Sequence, residues 1–244
     1  MKAVIFSGTT EGRTLSRAVA ALGADVTVCV ATDLGVEEQG CAPGITVRAG
    51  RLDAGEMTAL LQGAALCVDA THPYATEATR NIRAAATAAG VAYHRLLRPA
   101  SDLPAGSVVL ETAAQAAAYL AAKPGNILLA TGAKELPAFA ALDPARLYPR
   151  VLPTLAGITA CEAAGIPHRN IIAMQGPFTL ELNVALLRQF AIAAMVTKDG
   201  GAAGGFTEKA EAAARCGVQL IVLRRPEEQG ENAETILQRC RELL

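Results

Sequence analysis

Short apolar runs alternate with longer stretches of helical period from the first residues onward. The runs are Ala3–Phe6, Val26–Ala31, Ile45–Arg48, Leu66–Ala70 and Val91–Leu97. Between them, apolar positions recur at helical spacing over Glu11–Leu22, Ala54–Leu61 and Ala75–Ala89. Short, nearly unbroken apolar runs predict strands buried on both faces, and their alternation with helices predicts a parallel sheet covered on both sides. The pattern breaks at Arg98-Pro99-Ala100-Ser101-Asp102-Leu103-Pro104-Ala105-Gly106, where prolines, a glycine and small polar residues predict a linker. A second series follows. Its strands are expected over Val108–Leu110, Ile127–Ala130, Tyr148–Leu152, Ile171–Met174, Ala194–Thr197 and Leu220–Leu223. Its helices are expected over Ala113–Ala122, Leu155–Ala164, Leu180–Gln189, Thr207–Cys216 and Ala233–Leu243. The expectation is an α/β chain of two doubly wound lobes, residues 1–99 and 100–244; one long continuous sheet is the alternative.

Composition narrows the function classes. With 244 residues, 52% hydrophobic and 4% aromatic, the chain can bury a sizeable core of small aliphatic side chains. A formal net charge of −1 supplies no basic field, so no nucleic-acid partner is expected, and a polyanionic ligand would need a local cluster of Arg and Lys. The six cysteines are scattered without a C-x-x-C pair, and the 3 histidines lie far apart, so no metal site is expected and a reduced, cytoplasmic setting is the simple reading. The N-terminal apolar stretch is too short for a signal sequence and runs into a glycine turn. No apolar run approaches the roughly 20 residues of a membrane span, so no membrane partner is expected.

Ligands of open parallel sheets bind at the carboxyl ends of the strands, and the polar, glycine-bearing segments fall there. Ser7-Gly8-Thr9-Thr10-Glu11-Gly12-Arg13 follows the first strand. Gly8 permits a sharp turn, the following backbone N–H groups can face a phosphate at a helix start, and Thr9 and Thr10 add hydroxyl donors. The spacing is not the G-x-G-x-x-G fingerprint, and an ordinary capped turn is the competing reading. Thr32-Asp33 follows the second strand, where an acid can hold a ribose 2′-hydroxyl; this favours NADH, Arg13 argues for NADPH, and a capping role is as natural. Asp69-Ala70-Thr71-His72-Pro73-Tyr74 follows the fourth strand. His72 could bind a carboxylate or deliver a proton, or be a structural histidine, and Pro73 suits a first helical turn. Thr131-Gly132-Ala133-Lys134-Glu135 sets Lys134 at a helix start against the dipole, a placement that suits a bound anion or a solvated lysine. The densest segments are Gln175-Gly176-Pro177-Phe178 and Thr197-Lys198-Asp199-Gly200-Gly201-Ala202-Ala203-Gly204-Gly205-Phe206. Four glycines in six positions cost folding entropy, a cost that close backbone approach to a ligand explains better than a bare connector. Arg95, Arg98, Arg150, Arg224 and Arg225 fall at or after strand ends, where convergence would suit a polycarboxylate.

In series, Gly8–Arg13, Asp69–Tyr74, Thr131–Glu135, Gln175–Phe178, Thr197–Phe206 and the terminal Arg225-Pro226 resemble the precorrin-6A reductase family of cobalamin biosynthesis. The resemblance runs along essentially the whole chain; Ser7 stands where that pattern has a glycine. It implies two Rossmann-like lobes with mainly parallel sheets and an interdomain cleft. It implies reduction of one macrocycle C=C bond of precorrin-6A or its cobalt form by NADPH or NADH, without a flavin or protein-bound metal. On that basis Gly8, Thr9, Thr10, Glu11, Gly12, Arg13, Thr32, Asp33 and Thr71 would hold the cofactor. Tyr74, Arg98, Lys134, Gly176, Pro177, Gly200, Gly204 and Gly205 would hold the tetrapyrrole. His72, Lys198 and Asp199 would be catalytic, and the protein would be a monomer or weak homodimer. A non-catalytic nucleotide sensor is the rival class. A short-chain epimerase is set aside on the expectation that it lacks a Tyr-x-x-x-Lys pair.

Overall fold

A computed structural model describes residues 1–97, 101–201 and 204–244. Arg98, with its expected substrate role, lies outside the described residues. Contacts sort the chain into two compact units, Met1–Arg98 with Pro226–Leu244, and Pro99–Arg225.

In the first unit β1 (Lys2–Phe6), α1 (Thr10–Ala21), β2 (Asp25–Val30), α2 (Asp33–Gln39), β3 (Ile45–Ala49), α3 (Ala54–Leu61), β4 (Leu66–Asp69), α4 (Thr76–Ala89) and β5 (Tyr93–Arg95) follow in order. The five strands are all parallel, ordered β3-β2-β1-β4-β5. Successive residues of a strand face opposite sides, and β1 shows the consequence. Ala3 and Ile5 join a core with Leu15 and Val19 of α1, while Val4 and Phe6 join a separate core with Leu61 of α3 and Ile82 of α4. Cys29 and Cys67 belong to the second of these cores; burial pushes their thiols up to about 11 and about 12, so they behave as small apolar side chains.

The second unit carries β6 (Val108–Leu110), α5 (Ala113–Ala121), β7 (Asn126–Ala130), a 3₁₀ segment Ala133–Phe139, β8 (Leu147–Val151), α6 (Leu155–Ala163), β9 (Ile172–Ala173), α7 (Leu180–Gln189), β10 (Ile192–Lys198), α8 (Phe206–Cys216) and β11 (Gln219–Leu223). Its six strands are ordered β6-β11-β10-β7-β8-β9 and are also parallel. Along β10, Ala194 and Val196 pack toward α5 and Cys161 of α6, and Met195 toward Leu187 of α7 and Phe206 of α8.

Three expectations need correction. Residues 226–244 do not belong with the second lobe. The last helix, α9 (Ala233–Leu243), packs Ile236 and Cys240 into the first unit's core beside α1. Glu231 forms a parallel bridge to Leu96 next to β5, with Glu231 N donating to Arg95 O at 2.8 Å. Gly230 permits that approach, since a Cβ there would sit 2.5 Å from Arg95 O. The segment after β7 is 3₁₀ and short, with Pro137 inside it, so the dipole argument for Lys134 loses its basis. Pro73 precedes α4 rather than opening it; it lies in a turn closed by Ala75 N donating to His72 O at 2.8 Å.

Candidate functional site

In the first sheet the strand order reverses between β1 and β4, and the carboxyl ends of these neighbours open the crevice where such sheets bind ligands. From β1 comes Gly8, exposed and at φ 123°, a backbone conformation that glycine alone adopts easily. Thr9 caps α1, accepting from Gly12 N at 3.0 Å, and its hydroxyl donates to Ala70 O at 2.9 Å. Thr9 is therefore not the free hydroxyl donor expected; it ties the two strand ends together. Thr10 is exposed at the helix start. At Gly12 a Cβ would meet Ser7 Oγ at 2.5 Å and Ala70 Cβ at 2.9 Å, so this glycine brings α1 close to β1 and β4. Ser7 Oγ is buried without a hydrogen-bond partner among the described residues. Arg13 reaches α2, with Nη1 donating to Glu38 O at 2.8 Å. Thr32 caps α2 by accepting from Gly35 N at 3.2 Å, and Asp33 is its exposed first residue.

Gly12→Ala forces a methyl group into Ser7 and Ala70. Overpacking of this kind costs about 1–3 kcal/mol. The expected result is a urea midpoint lowered accordingly at unchanged m-value; an unaltered midpoint would show that the contact relaxes freely.

The β4 side is fixed by a buried acid. Asp69, with no exposed surface, accepts from Thr71 N (3.0 Å), Thr71 Oγ1 (2.7 Å), Tyr93 OH (2.9 Å) and Arg95 Nη1 (3.0 Å). Arg95 also donates to Thr71 O at 2.9 Å and to Glu228 Oε2 through Nε and Nη2. Burial, followed by the Asp69 charge and hydrogen bond, holds the Tyr93 phenol above its ordinary range. Arg95 is thus committed inside the first unit and does not join a polycarboxylate clamp. This frame presents His72, half-buried, with its ring 5.6 Å from that of Tyr74. Tyr74 N donates to His72 Nδ1 at 3.4 Å.

In the second unit the order reverses between β7 and β10, and the expected segments meet there too. Lys198 at the end of β10 bonds Glu135 after β7, Nζ to Oε1 at 2.7 Å. Asp199 is buried and accepts from Gly201 N (3.0 Å) and Ser101 N (3.1 Å). Gly200 lies against Gly204, whose Cα would be 3.4 Å from a Cβ, and Gly205 opens α8 at φ 65°. Gly205 also packs on the Gly176-Pro177 segment, where a Cβ would lie 3.6 Å from Pro177 Cβ. Lys134 is exposed. The polar residue the sequence did not single out is Lys209 of α8, buried to 8% exposure. Desolvation, then repulsion from Arg150, lowers its ammonium to about 8. Arg224 pairs with Glu111 at the surface. A Tyr-x-x-x-Lys spacing does occur, contrary to expectation, at Tyr119 and Lys123. It lies at the end of α5, with Lys123 Nζ stacked 5.3 Å over the Tyr119 ring, at the end of the helix opposite the β7–β10 crevice.

Among the described residues no group of acids, cysteines and histidines could hold a metal, and no helix is long and apolar enough to cross a membrane. The family model for precorrin-6x reductase CbiJ/CobK matches residues 2–241. The chain is 37% identical to the cobalt-precorrin-6A reductase of Priestia megaterium over 230 residues, 91% of this chain and 90% of that protein. It is 33% identical to the protein of the same name from Methanothermobacter thermautotrophicus over 237 residues, 93% and 77% of the two chains. A solved structure described as CobK precorrin-6A reductase superposes with TM-score 0.78 at 24% identity, covering 99% of this chain and 96% of that one, which shows the shared fold.

Proposed function

The chain belongs to the precorrin-6x reductase CbiJ/CobK family, and we propose from that premise that it reduces one C=C bond of the precorrin-6A macrocycle, or of its cobalt form, with NAD(P)H. The observation that carries the proposal on this chain is the β1–β4 crevice, a nucleotide cradle facing His72. A dinucleotide fits it on three counts: the left-handed Gly8, the missing Cβ of Gly12, and the buried, unpartnered Ser7 Oγ. Bound NAD(P)H supplies the hydride. Backbone N–H groups of Thr10 and Glu11 would hold the pyrophosphate, with Thr9 fixing the turn and Asp33 and Arg13 as candidates for the ribose end. Thr71, locked by Asp69 and Arg95, would hold the nicotinamide end. His72, protonated to the imidazolium, donates the completing proton and is left as the neutral ring. In the second unit Lys198, Gly200, Gly204, Gly205, Gly176, Pro177 and Lys134 are the candidates to receive the tetrapyrrole, and Asp199 fixes the Gly201 backbone beside them; Tyr74 is the substrate candidate of the first unit. Fixing two reactants in one geometry is the main contribution a protein makes to hydride transfer.

Anaerobic incubation with precorrin-6A and with its cobalt form tests this. Substrate-dependent loss of reduced-nicotinamide absorbance with at least one of them is expected; none with either rejects the proposal. Cofactor choice turns on Asp33, whose carboxylate repels a 2′-phosphate. Asp33→Ser should raise kcat/KM for NADPH relative to NADH about tenfold, in keeping with one partly screened charge pair. A ratio that does not move would remove Asp33 from the ribose site.

A further inference from the structure

The second unit buries two cations, Arg150 near the carboxyl end of β8 and Lys209 one turn into α8, at 7% and 8% exposure. Cations are almost never buried this far unless paired. Arg150 Nη1 donates to Asn183 Oδ1 on α7 at 2.9 Å, and the guanidinium lies 4.1 Å from the centre of the Phe178 ring. Among the described residues no carboxylate pairs with it, so most of its five N–H groups have no protein acceptor. Lys209 Nζ makes no hydrogen bond or ion pair among the described residues, yet it lies close enough to Arg150, Glu208 and Asp199 to feel all three charges. Neither acid closes on the cations. Both Asp199 oxygens are taken by backbone N–H groups, and Glu208 Oε2 is buried without a partner. Gly205 leaves the start of α8 without a side-chain cap, and Thr131 Oγ1, at the neighbouring end of β7, is another buried hydroxyl without a partner.

We propose that Arg150 and Lys209 form a subsite for one oxyanion of a ligand, a carboxylate or a phosphate, beside the β7–β10 crevice. The subsite rests on the reading of that crevice as ligand-binding, and it supplies the cationic clamp that Arg95 and Arg224 do not. An oxyanion there would accept from the planar guanidinium fork and from the ammonium together, the geometry in which arginine binds such groups best. A purely structural Arg150, stapling Phe178 to α7, would leave ligand affinity untouched.

Calorimetric titration with two stable probes tests the subsite without turnover, so its outcome is independent of whether hydride transfer is observed. The probes are uroporphyrin I, which carries carboxylates only, and 2′,5′-ADP, which carries phosphates. Lys209→Met should weaken one probe about tenfold or more, and Lys209→Arg should restore most of the loss. Loss confined to uroporphyrin assigns the subsite to a tetrapyrrole carboxylate; loss confined to 2′,5′-ADP assigns it to the nucleotide. The intact protein provides a second reading. Lys209 titrates near pH 8 with Arg150, Glu208 and Asp199 around it, so an arriving oxyanion raises its affinity for protons. Binding at pH 8 should therefore take up a fraction of a proton, visible as an enthalpy that varies with buffer ionisation heat, and affinity should fall as pH rises through that value. Unchanged affinity of Lys209→Met for both probes overturns the proposal, and so does binding without proton uptake by the intact protein should the variant fail to fold.

Discussion

His72→Ala is expected to lower kcat by about 100- to 10,000-fold, the range contributed by a positioned general acid. Affinity for the reduced cofactor should change little, because the cradle on Gly8 and Gly12 does not use the imidazole. The assignment follows from local geometry. His72 leaves the carboxyl end of β4, next to β1, and the turn that holds it is closed by its own carbonyl and by Tyr74 N on Nδ1. As an imidazolium it can give one ring proton to the substrate and return to the neutral ring. The pH–rate profile separates a chemical role from a structural one. The alanine variant should lose the limb that reports the histidine, whereas a packing defect would scale the whole profile down. Wild-type turnover in the variant would pass the proton to Lys198 or to water.

Asp69→Ala should be the most destabilising single change, by about 3–5 kcal/mol, since it leaves a buried cation without its nearest counter-charge. Arg95 and Asp69 are 1% and 0% exposed and 3.0 Å apart. Removing the carboxylate also strips acceptors from Thr71 N, Thr71 Oγ1 and the Tyr93 hydroxyl. Glu228 still holds the far side of the guanidinium, which keeps the loss below that of a fully stranded charge. Urea unfolding reads the difference, and Asp69→Asn, which keeps an acceptor in the same shape, should recover part of it. A loss under about 1 kcal/mol in the alanine variant would mean the site relaxes or floods with water.

The central strands β1, β4 and β10 were legible because they are largely buried on both faces and read as short apolar runs, whereas β3 at the sheet edge buries none of its residues. β10 differs from its expected span by only a few terminal residues. α2 was missed for the converse reason. Its sequence, Asp-Leu-Gly-Val-Glu-Glu-Gln, has no apolar period, and only Gln39 is buried. α9 shows the limit of periodicity: Ile236 and Cys240 mark a buried face, but nothing local says that α1 covers it. The polar, proline-bearing stretch Arg224–Gly230 had the composition of a second linker and was the available clue.

The site divides in the same way. Glycines declared themselves by type, because a sharp turn or a close approach demands them wherever the fold lies. Charged residues did not. Arg95 and Arg150 look alike at strand ends, yet one is neutralised by Asp69 and Glu228 and the other meets only Asn183 and Phe178. Lys209 sits in a Glu-Lys-Ala-Glu stretch with the look of a solvated helix face, and only the packing of α8 against the sheet reveals that it is buried. Partner identity is a tertiary property, and no spacing rule along the chain encodes it.

The most direct measurement follows the hydride itself. Reduced nicotinamide cofactor deuterated at C4 on the transferred face, incubated anaerobically with precorrin-6A or its cobalt form, should yield a tetrapyrrole that has gained one deuterium from the cofactor and one proton from solvent. Cofactor oxidation that leaves the tetrapyrrole without deuterium, with cofactor deuterated on either face, would contradict direct transfer and with it the reductase account.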